Sequence, residues 1–253
     1  MHMTTKALVL REVNYKESDK ILTLLTQQAG KLTVSARGCR KKGSPIAAGC
    51  QLLCWSELVL FEYQGRWSVK EAAVEREFRG MRSDLEKLAL GCYFAEAAEL
   101  VAVEEVPSPE LLSLTLNSLH ALDQMDKPLA LVKGAFEWKI LCLAGYEPLL
   151  DACAVCGAEE PEHPQLHLRE GVLHCARCRD QAGEGISLPV EGDCLAALRH
   201  IACGDPKRLF SFRLSQEDLE QLSGVTEAYL LTQLERGFRT LDFYKQMTLP
   251  PRG

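Results

Sequence analysis

The beginning of the chain alternates between apolar and polar residues with a period of two. The alternation is clearest where Leu32, Val34 and Ala36 are apolar and the residues between them are polar or charged. A period of two is typical of a strand that buries one face. Five β-prone segments are separated by short glycine-containing stretches: Thr4–Val13, Lys20–Gln28, Lys31–Arg37, Gln51–Tyr63 and Trp67–Val74. Five strands within about 75 residues predict a small barrel of the OB type.

After Glu77 the period changes to about 3.6, which is typical of helices. Ser83–Glu86 resembles a capping box and predicts a helix that runs to about Val106. The pattern and its cap residues predict four more helices: Ser108–Gln124, Pro128–Ala144, Asp193–Cys203 and Ser215–Met247. The predicted fold class is α+β, with an N-terminal five-stranded OB-fold barrel in residues 1–80 and a mostly helical domain in residues 81–253.

Four cysteines stand in two pairs that interrupt the helical series. Cys153 and Cys156 form one CxxC pair, Cys175 and Cys178 form the other, and 18 residues lie between the pairs. This spacing is typical of zinc, because each tight turn presents two thiolates and two turns complete a tetrahedral shell. A complete shell leaves no open position for water. We therefore expect one structural Zn²⁺ per chain, in a cysteine module at about residues 150–185.

Other interpretations of the cysteines were weighed against this one. A redox CxxC pair begins a helix after a strand in a thioredoxin-like unit, and no such pattern surrounds these pairs. A zinc nucleobase deaminase needs H-x-E followed by P-C-x-x-C, and the sequence has neither. Histidines between the pairs leave a site of three sulfurs and one imidazole open: His163, His167 and His174.

Composition narrows the class of protein. The chain has 253 residues, of which 47% are hydrophobic and 25% are charged, which is enough to form one large or two modest domains. No run approaches the roughly 18 apolar residues of a membrane span, so we expect a cytoplasmic protein without membrane contact. The total of 11 cysteines is odd, and the seven outside the pairs are interpreted as buried thiols of a reducing compartment.

Charge is distributed unevenly along the chain. The net charge is −6, but residues 1–80 carry 13 Lys/Arg against 8 Asp/Glu, while residues 81–253 carry 16 against 27. No acidic residue stands between Lys20 and Ser56. This segment is interpreted as a DNA-binding surface that follows a phosphate backbone, although a solvated basic face is the simpler alternative. The predicted DNA-binding residues are Lys20, Lys31, Arg37, Arg40, Lys41 and Lys42.

Aromatic residues in the same region could complete such a surface. OB barrels bind single strands by combining a basic groove with aromatic rings on which bases stack. The candidate rings are Tyr15, Trp55, Tyr63 and Trp67. For each of them a place in the hydrophobic core is the alternative, because aromatic side chains gain much from burial.

The sequence contains no recognisable reaction centre. A Walker-type glycine loop, GxSxG and HExxH are all absent, so we expect a protein that is not an enzyme. The alternative from another class is a zinc-ribbon regulator that recognises a specific duplex sequence. Such a regulator would need a basic recognition helix, and in the last predicted helix Glu235 and Asp242 dilute the basic residues Arg236, Arg239 and Lys245.

Several blocks of sequence resemble the RecO family of bacterial recombination mediators. At the start, Tyr15–Ile21, Gly30-Lys31 and Ala36–Gly38 precede the basic cluster. The other blocks follow in family order: Gly145–Pro148, Leu150-Asp151, Cys153–Gly157 and Leu234–Phe243. Together they span nearly the whole chain. Family members without the cysteines exist, so zinc marks a subgroup.

The resemblance implies a non-catalytic protein of DNA repair and homologous recombination in the RecFOR pathway, associated with the nucleoid. Family members have an OB-fold domain and a helical domain, bind single- and double-stranded DNA, and anneal complementary strands. They work with RecR, contact the C-terminal tail of single-stranded-DNA-binding protein, and help RecA to replace that protein on the strand. The resemblance carries DNA contact to the basic residues of the first domain only as a group.

Overall fold

The computed structural model describes residues 1–248, and its first part is a closed barrel of five strands. The strands are β1 (His2–Tyr15), β2 (Asp19–Thr26), β3 (Gly30–Ala36), β4 (Trp55–Tyr63) and β5 (Arg66–Arg76). Their order around the barrel is β1-β2-β3-β5-β4. Neighbours are antiparallel except β3 and β5, which pair in parallel at Val34–Trp67 and Ser35–Ser68. The predicted OB-like barrel is therefore confirmed.

The alternation in β3 builds the barrel core as predicted. Leu32, Val34 and Ala36 point inward and are buried with apolar residues of the other strands. The long segment between β3 and β4 also enters the core, through Cys39 and Cys50. Residues 51–54, which were predicted to begin the fourth strand, form turns instead.

Seven helices follow the barrel within the described residues. They are α1 (Arg79–Arg82), α2 (Leu85–Val101), α3 (Pro109–Gln124), α4 (Leu129–Leu143), α5 (Gly192–Cys203), α6 (Gln216–Leu234) and α7 (Arg239–Thr248). Three short strands form a separate sheet: β6 (Gln165–His167), β7 (Val172–His174) and β8 (Ser187–Pro189). Up to Thr248, none of the helices has the length and apolar character needed to cross a membrane.

Two details of the first predicted helix are wrong. Asp84, rather than Ser83, caps α2, because its carboxylate accepts the N–H groups of Glu86 and Lys87. The same helix ends at Val101 instead of Val106, since Ala102 is extended.

The predicted helix Ser215–Met247 is two helices. Its start is as predicted, because the Ser215 hydroxyl accepts the N–H of Asp218 at 3.1 Å. Glu235, however, adopts a left-handed conformation with φ 48° and ends α6. The chain then turns so that the Phe238 ring packs edge-on against Tyr93 of α2, with 5.4 Å between the ring centroids.

The described chain divides into two compact units. The first unit comprises Met1–Met125 together with the segment that begins at Phe238, and the second comprises Asp126–Gly237. The first unit therefore contains the barrel, α1–α3 and α7. The boundary that the sequence predicts between residues 80 and 81 divides the chain into two sequence domains, and it stays a prediction.

Within the first unit, α2 joins the barrel to α7. Glu99 of α2 pairs with Arg11 of β1 at 2.8 Å. Glu96 accepts both the backbone N–H and the hydroxyl of Thr240, at 3.1 and 2.5 Å, and so caps the N-terminus of α7. A carboxylate at a helix N-terminus is favourable because it satisfies free N–H groups and meets the positive end of the helix dipole. These two contacts hold α7, α2 and β1 in one unit.

The segment after α2 covers the edge of β3. Glu105 donates its N–H to the carbonyl of Lys31 at 3.0 Å. This close approach requires glycine at position 30, because a Cβ atom there would lie 2.0 Å from the carbonyl oxygen of Val106. The covered edge explains why only two residue pairs join β3 to β5.

Helices α4 and α6 of the second unit enclose a buried charge network. Lys133 lies 2.9 Å from Glu137 and 2.9 Å from Glu227, and Thr226 donates its hydroxyl to Glu137 at 2.8 Å. Burial lowers the pKa of Lys133, but the two carboxylates outweigh it and the pKa is raised. The ammonium group therefore stays charged at neutral pH.

We expect Glu137→Ala to destabilise the second unit by about 3–5 kcal/mol, because it leaves a buried ammonium with one partner fewer. Glu137 is fully buried, whereas the Glu227 side chain is 17% exposed. Glu227→Ala is the matched control and should cost less, since water can replace part of its contact. Denaturant unfolding at pH 7 measures both, and equal midpoints for the two variants would contradict the prediction.

Candidate metal centre and nucleic-acid interface

The four paired cysteines meet in space. The sulfurs of Cys153, Cys156, Cys175 and Cys178 all lie within 4.8 Å of one another. The Cys175 sulfur lies 3.8 Å from that of Cys153, 3.7 Å from that of Cys156 and 3.2 Å from that of Cys178. A tetrahedral shell with metal–sulfur distances of about 2.3 Å requires about 3.8 Å between sulfurs. The cluster therefore fits a four-coordinate metal ion and can hold one.

The local backbone explains why the sulfurs converge. Gly157, with φ 74°, closes the first CxxC turn and donates its N–H to the carbonyl of Cys153 at 2.9 Å. The second pair begins directly after β7 and continues into a short 3₁₀ helix, Ala176–Gln181. A backbone hydrogen bond of 2.8 Å from Ala154 to Leu173 joins the first turn to β7. Both turns are thus fixed to one small sheet.

Hydrogen bonds to sulfur favour the thiolate at one position. Burial raises the pKa of Cys153, but backbone N–H groups of Cys156, Cys175 and Val155 lower it to about 6. The hydrogen bond with Cys175 raises the pKa of Cys178 to about 12, because neighbouring sulfurs oppose a second negative charge. A bound cation would offset the repulsion between the sulfurs by its positive charge. All four cysteines could then be deprotonated, as metal ligands must be.

The histidines of the module are not needed as ligands. The His174 ring nitrogens lie 3.2 Å from the carbonyl of Cys175 and 2.9 Å from the hydroxyl of Ser187. His167 accepts the N–H of Glu170 at its Nδ1. His163 contacts Glu191. Within residues 1–248 the candidate metal ligands are the four sulfurs alone.

The structure divides the predicted DNA-binding residues into two groups. Lys20 is paired with Glu12 at 2.7 Å, and Lys31 lies 3.1 Å from the carbonyl of Glu99 and 3.8 Å from the carboxylate of Glu104. The two lysine side chains are only 15% and 16% exposed, and these contacts compensate part of their charge within the protein. The exposed group follows β3: Arg37, Arg40, Lys41 and Lys42. Whether either group binds DNA stays a prediction.

Arg37 lines a cleft in the surface of the barrel, with a volume of about 970 Å³. The cleft lies over the parallel seam of β3 and β5. One wall is the turn between β1 and β2, and the other is the turn between β4 and β5. This is the face, between the first and last loops, with which OB folds bind oligonucleotides.

Sequence reasoning missed three of the basic residues that line this cleft. They are Lys16, Arg66 and Lys70. Lys16 precedes the acid-free segment, while Arg66 and Lys70 belong to a strand that also carries acidic residues. Only the pairing of β3 with β5 brings Arg66 and Lys70 beside Arg37. The place of all three residues in or near the β1–β2 and β4–β5 turns could have indicated them, because OB barrels bind ligands with these two loops.

Three of the four candidate aromatic residues line the cleft. Tyr15 and Tyr63 line the cleft and are 49% and 64% exposed, respectively. Trp67 lines it too, but its ring packs partly against the barrel core. Trp55 is half-buried and is not among the residues that line the cleft.

The structure thus combines a closed OB-like barrel that carries a basic cleft, the kind of surface with which OB folds bind nucleic acid, with helices and a small sheet that fixes a four-cysteine cluster. Comparison with known proteins identifies the family. The family model for the N-terminal part of recombination protein O matches residues 1–78, and the model for its C-terminal part matches residues 82–242. The chain belongs to the RecO family.

Individual relatives cover the chain almost completely. The DNA repair protein RecO of Acetivibrio thermocellus is 32% identical over 97% of this chain and 97% of its own length. The protein of the same name from Symbiobacterium thermophilum is 31% identical over 93% of this chain and 94% of its own. That of Alkaliphilus metalliredigens is 27% identical over 98% and 100%, respectively. The family assignment therefore rests on both parts of the chain.

Proposed function

We propose that this RecO-family protein is a non-enzymatic mediator of homologous recombination that binds single- and double-stranded DNA through its barrel and anneals complementary strands. The observation that carries the proposal is the convergence of exposed basic side chains on the OB-like barrel of a chain whose net charge is −6. Family membership supports the remaining roles: action with RecR, contact with the C-terminal tail of single-stranded-DNA-binding protein, and help in loading RecA. A place in the cytoplasm, at the nucleoid, is part of the same proposal.

The chemistry of the barrel surface suits annealing. Lys and Arg side chains bind phosphates in any sequence, because backbone contacts carry no base information. Neutralising phosphates also reduces the repulsion between two strands, which otherwise slows their approach. The exposed basic residues after β3 would therefore hold either of two complementary strands equally well. They are Arg37, Arg40, Lys41 and Lys42.

We further propose that the cluster holds one structural Zn²⁺ through Cys153, Cys156, Cys175 and Cys178. When bound, the ion would supply a cross-link and no reactive position, because four protein sulfurs complete its shell. Tetrahedral four-sulfur sites favour zinc or iron. Zinc has no redox chemistry, and its cross-link suits a module whose regular structure is limited to short strands and one 3₁₀ helix.

The uneven charge suggests a division of roles between the sequence domains. Residues 81–253 have a net charge of −11, which repels phosphate. We therefore propose that residues 1–80 supply the main DNA surface and that residues 81–253 bind protein partners. The guanidinium of Arg199 donates two hydrogen bonds to the carbonyl of Leu150, which leaves fewer of its N–H groups for a phosphate.

A salt titration tests the DNA surface. Replacing Arg40, Lys41 and Lys42 together by glutamine should weaken binding to all sequences alike and flatten the log–log salt slope on single strands by about 2, at roughly 0.7 per phosphate contact. Strand annealing should fall in parallel. Melting should change little, since exposed charges contribute little to stability.

The matched control replaces Lys207, Arg208 and Arg213, which are exposed residues of the second unit, and alters the net charge by the same amount. Its slope should equal that of the parent. If both triple variants flatten the slope equally, the effect is one of overall charge and the barrel surface is the wrong assignment. A loss confined to one sequence would instead favour a zinc-ribbon regulator.

A further inference from the structure

Two exposed tyrosines stand at opposite walls of the barrel cleft. Tyr15 ends β1 and Tyr63 ends β4, and each is followed by a left-handed residue, Lys16 and Gln64, both with φ 52°. Large aromatic side chains gain free energy from burial, yet these rings are 49% and 64% exposed. Each ring therefore keeps exposed area for a ligand that enters the cleft, although the ammonium of Lys16 lies over one face of the Tyr15 ring, 5.3 Å from its centroid.

The charges of the cleft indicate an anionic ligand. Four basic side chains line it, namely Lys16, Arg37, Arg66 and Lys70, and none of the ion pairs within residues 1–248 involves them. The one carboxylate in the lining is that of Asp19. It accepts the N–H of Gly38 at 2.7 Å and is thus already engaged.

The floor of the cleft offers little for reading bases. The Ser35 hydroxyl donates to the carbonyl of Trp67 at 3.2 Å, and the Ser68 hydroxyl donates to the carbonyl of Phe61 at 3.2 Å. Both donors are used within the barrel. A ligand in the cleft would be recognised by charge and by ring faces, which every base possesses.

Only a strand with unpaired bases can use these rings. In a duplex the base faces are stacked on one another, whereas a single strand can place a base on an aromatic side chain. Phosphates alone do not distinguish the two forms. A cleft that combines four cations with two exposed aromatic rings is therefore better suited to single-stranded DNA.

We propose that the cleft holds an unpaired DNA strand with bases stacked on Tyr15 and Tyr63, and that these two rings set the preference of the chain for single strand over duplex. The inference rests on the proposed DNA-binding function and assigns the residues that select the substrate form. Lys16, Arg37, Arg66 and Lys70 hold the phosphates on either side of the stacked bases. Arg40, Lys41 and Lys42 bind the phosphates of single strand and duplex alike, and duplex binds without the tyrosines.

The experiment compares the full-length parent with a Tyr15→Leu/Tyr63→Leu variant and a Tyr15→Phe/Tyr63→Phe control. Binding is measured at one salt concentration to an oligothymidine strand, to a duplex with the same number of phosphates, and to an abasic strand. Each stacked base contributes about 5- to 150-fold in affinity. The leucine variant should lose at least about 25-fold on oligothymidine and less than about 2-fold on duplex and abasic strand.

The phenylalanine control should bind like the parent, because a phenyl ring still stacks. A strand with 2-aminopurine gives a second readout, since its fluorescence is quenched by stacking in the parent but not in the leucine variant. Equal losses of the leucine variant on single strand and duplex would overturn the inference while leaving DNA binding intact. Unchanged binding of the leucine variant to oligothymidine would overturn it as well. A parent that binds no DNA would overturn the proposed function itself.

Discussion

Replacing Cys175 by serine is expected to release the metal and unfold the cysteine module. The Cys175 sulfur lies within 3.8 Å of each of the other three sulfurs, so its loss removes one of the four ligands and opens the shell. Structural zinc contributes about 10–16 kcal/mol in small modules, comparable to the roughly 5–15 kcal/mol of a whole domain. The strands that support the site have three residues each, and they are too short to persist without it.

Cys203→Ser is the matched control, because Cys203 is exposed and lies outside the cluster. Elemental analysis should find about one zinc per chain in the parent and in this control, and far less in Cys175→Ser. Proteolysis should then cut the released module between residues 150 and 185. A parent without zinc, or a Cys175→Ser variant that melts like the parent, would remove the basis for the site.

The parts of the fold that depend on neighbouring residues could be predicted from the sequence. The period of two in β3 places Leu32, Val34 and Ala36 inward in any barrel, and the spacing of a CxxC pair is itself the geometry of a metal-binding turn. The four sulfurs meet because one small sheet is enough to bring the two CxxC turns together. Both features were read correctly for this reason.

Features that arise between distant segments could not be predicted in this way. Arg66 and Arg37 share a cleft because β5 pairs with β3, and no local pattern indicates that register. Likewise, the helical period continues past Glu235, but α6 ends there and the Phe238 ring packs beside Tyr93. Lys31 looked like a free cation, although Glu104, far along the chain, lies 3.8 Å from it. Tertiary contacts decide each of these positions.

A chain that ends at Gly237 is expected to lose most of the stability of the first unit, although the deleted residues are distant from the barrel in sequence. The deletion removes three buried side chains, Phe238, Leu241 and Tyr244, which are at most 8% exposed. At roughly 1.5–3 kcal/mol for each buried side chain, the loss is about 4.5–9 kcal/mol. It also leaves the Glu96 carboxylate without the two hydrogen bonds from Thr240. Because α2 contacts both α7 and β1, DNA binding should fall with stability.

Two phenylalanines of the same segment provide a matched test of this prediction. Phe238 is 1% exposed, whereas Phe243 is 51% exposed. Phe238→Ala should cost about 3–5 kcal/mol in thermal or denaturant unfolding, while Phe243→Ala should cost less than about 1 kcal/mol, as exposed substitutions do. The zinc content should stay unchanged in both, because the cysteine module belongs to the second unit. If the two alanine variants melt together, or the shortened chain melts like one that ends at Thr248, α7 does not stabilise the barrel-bearing unit.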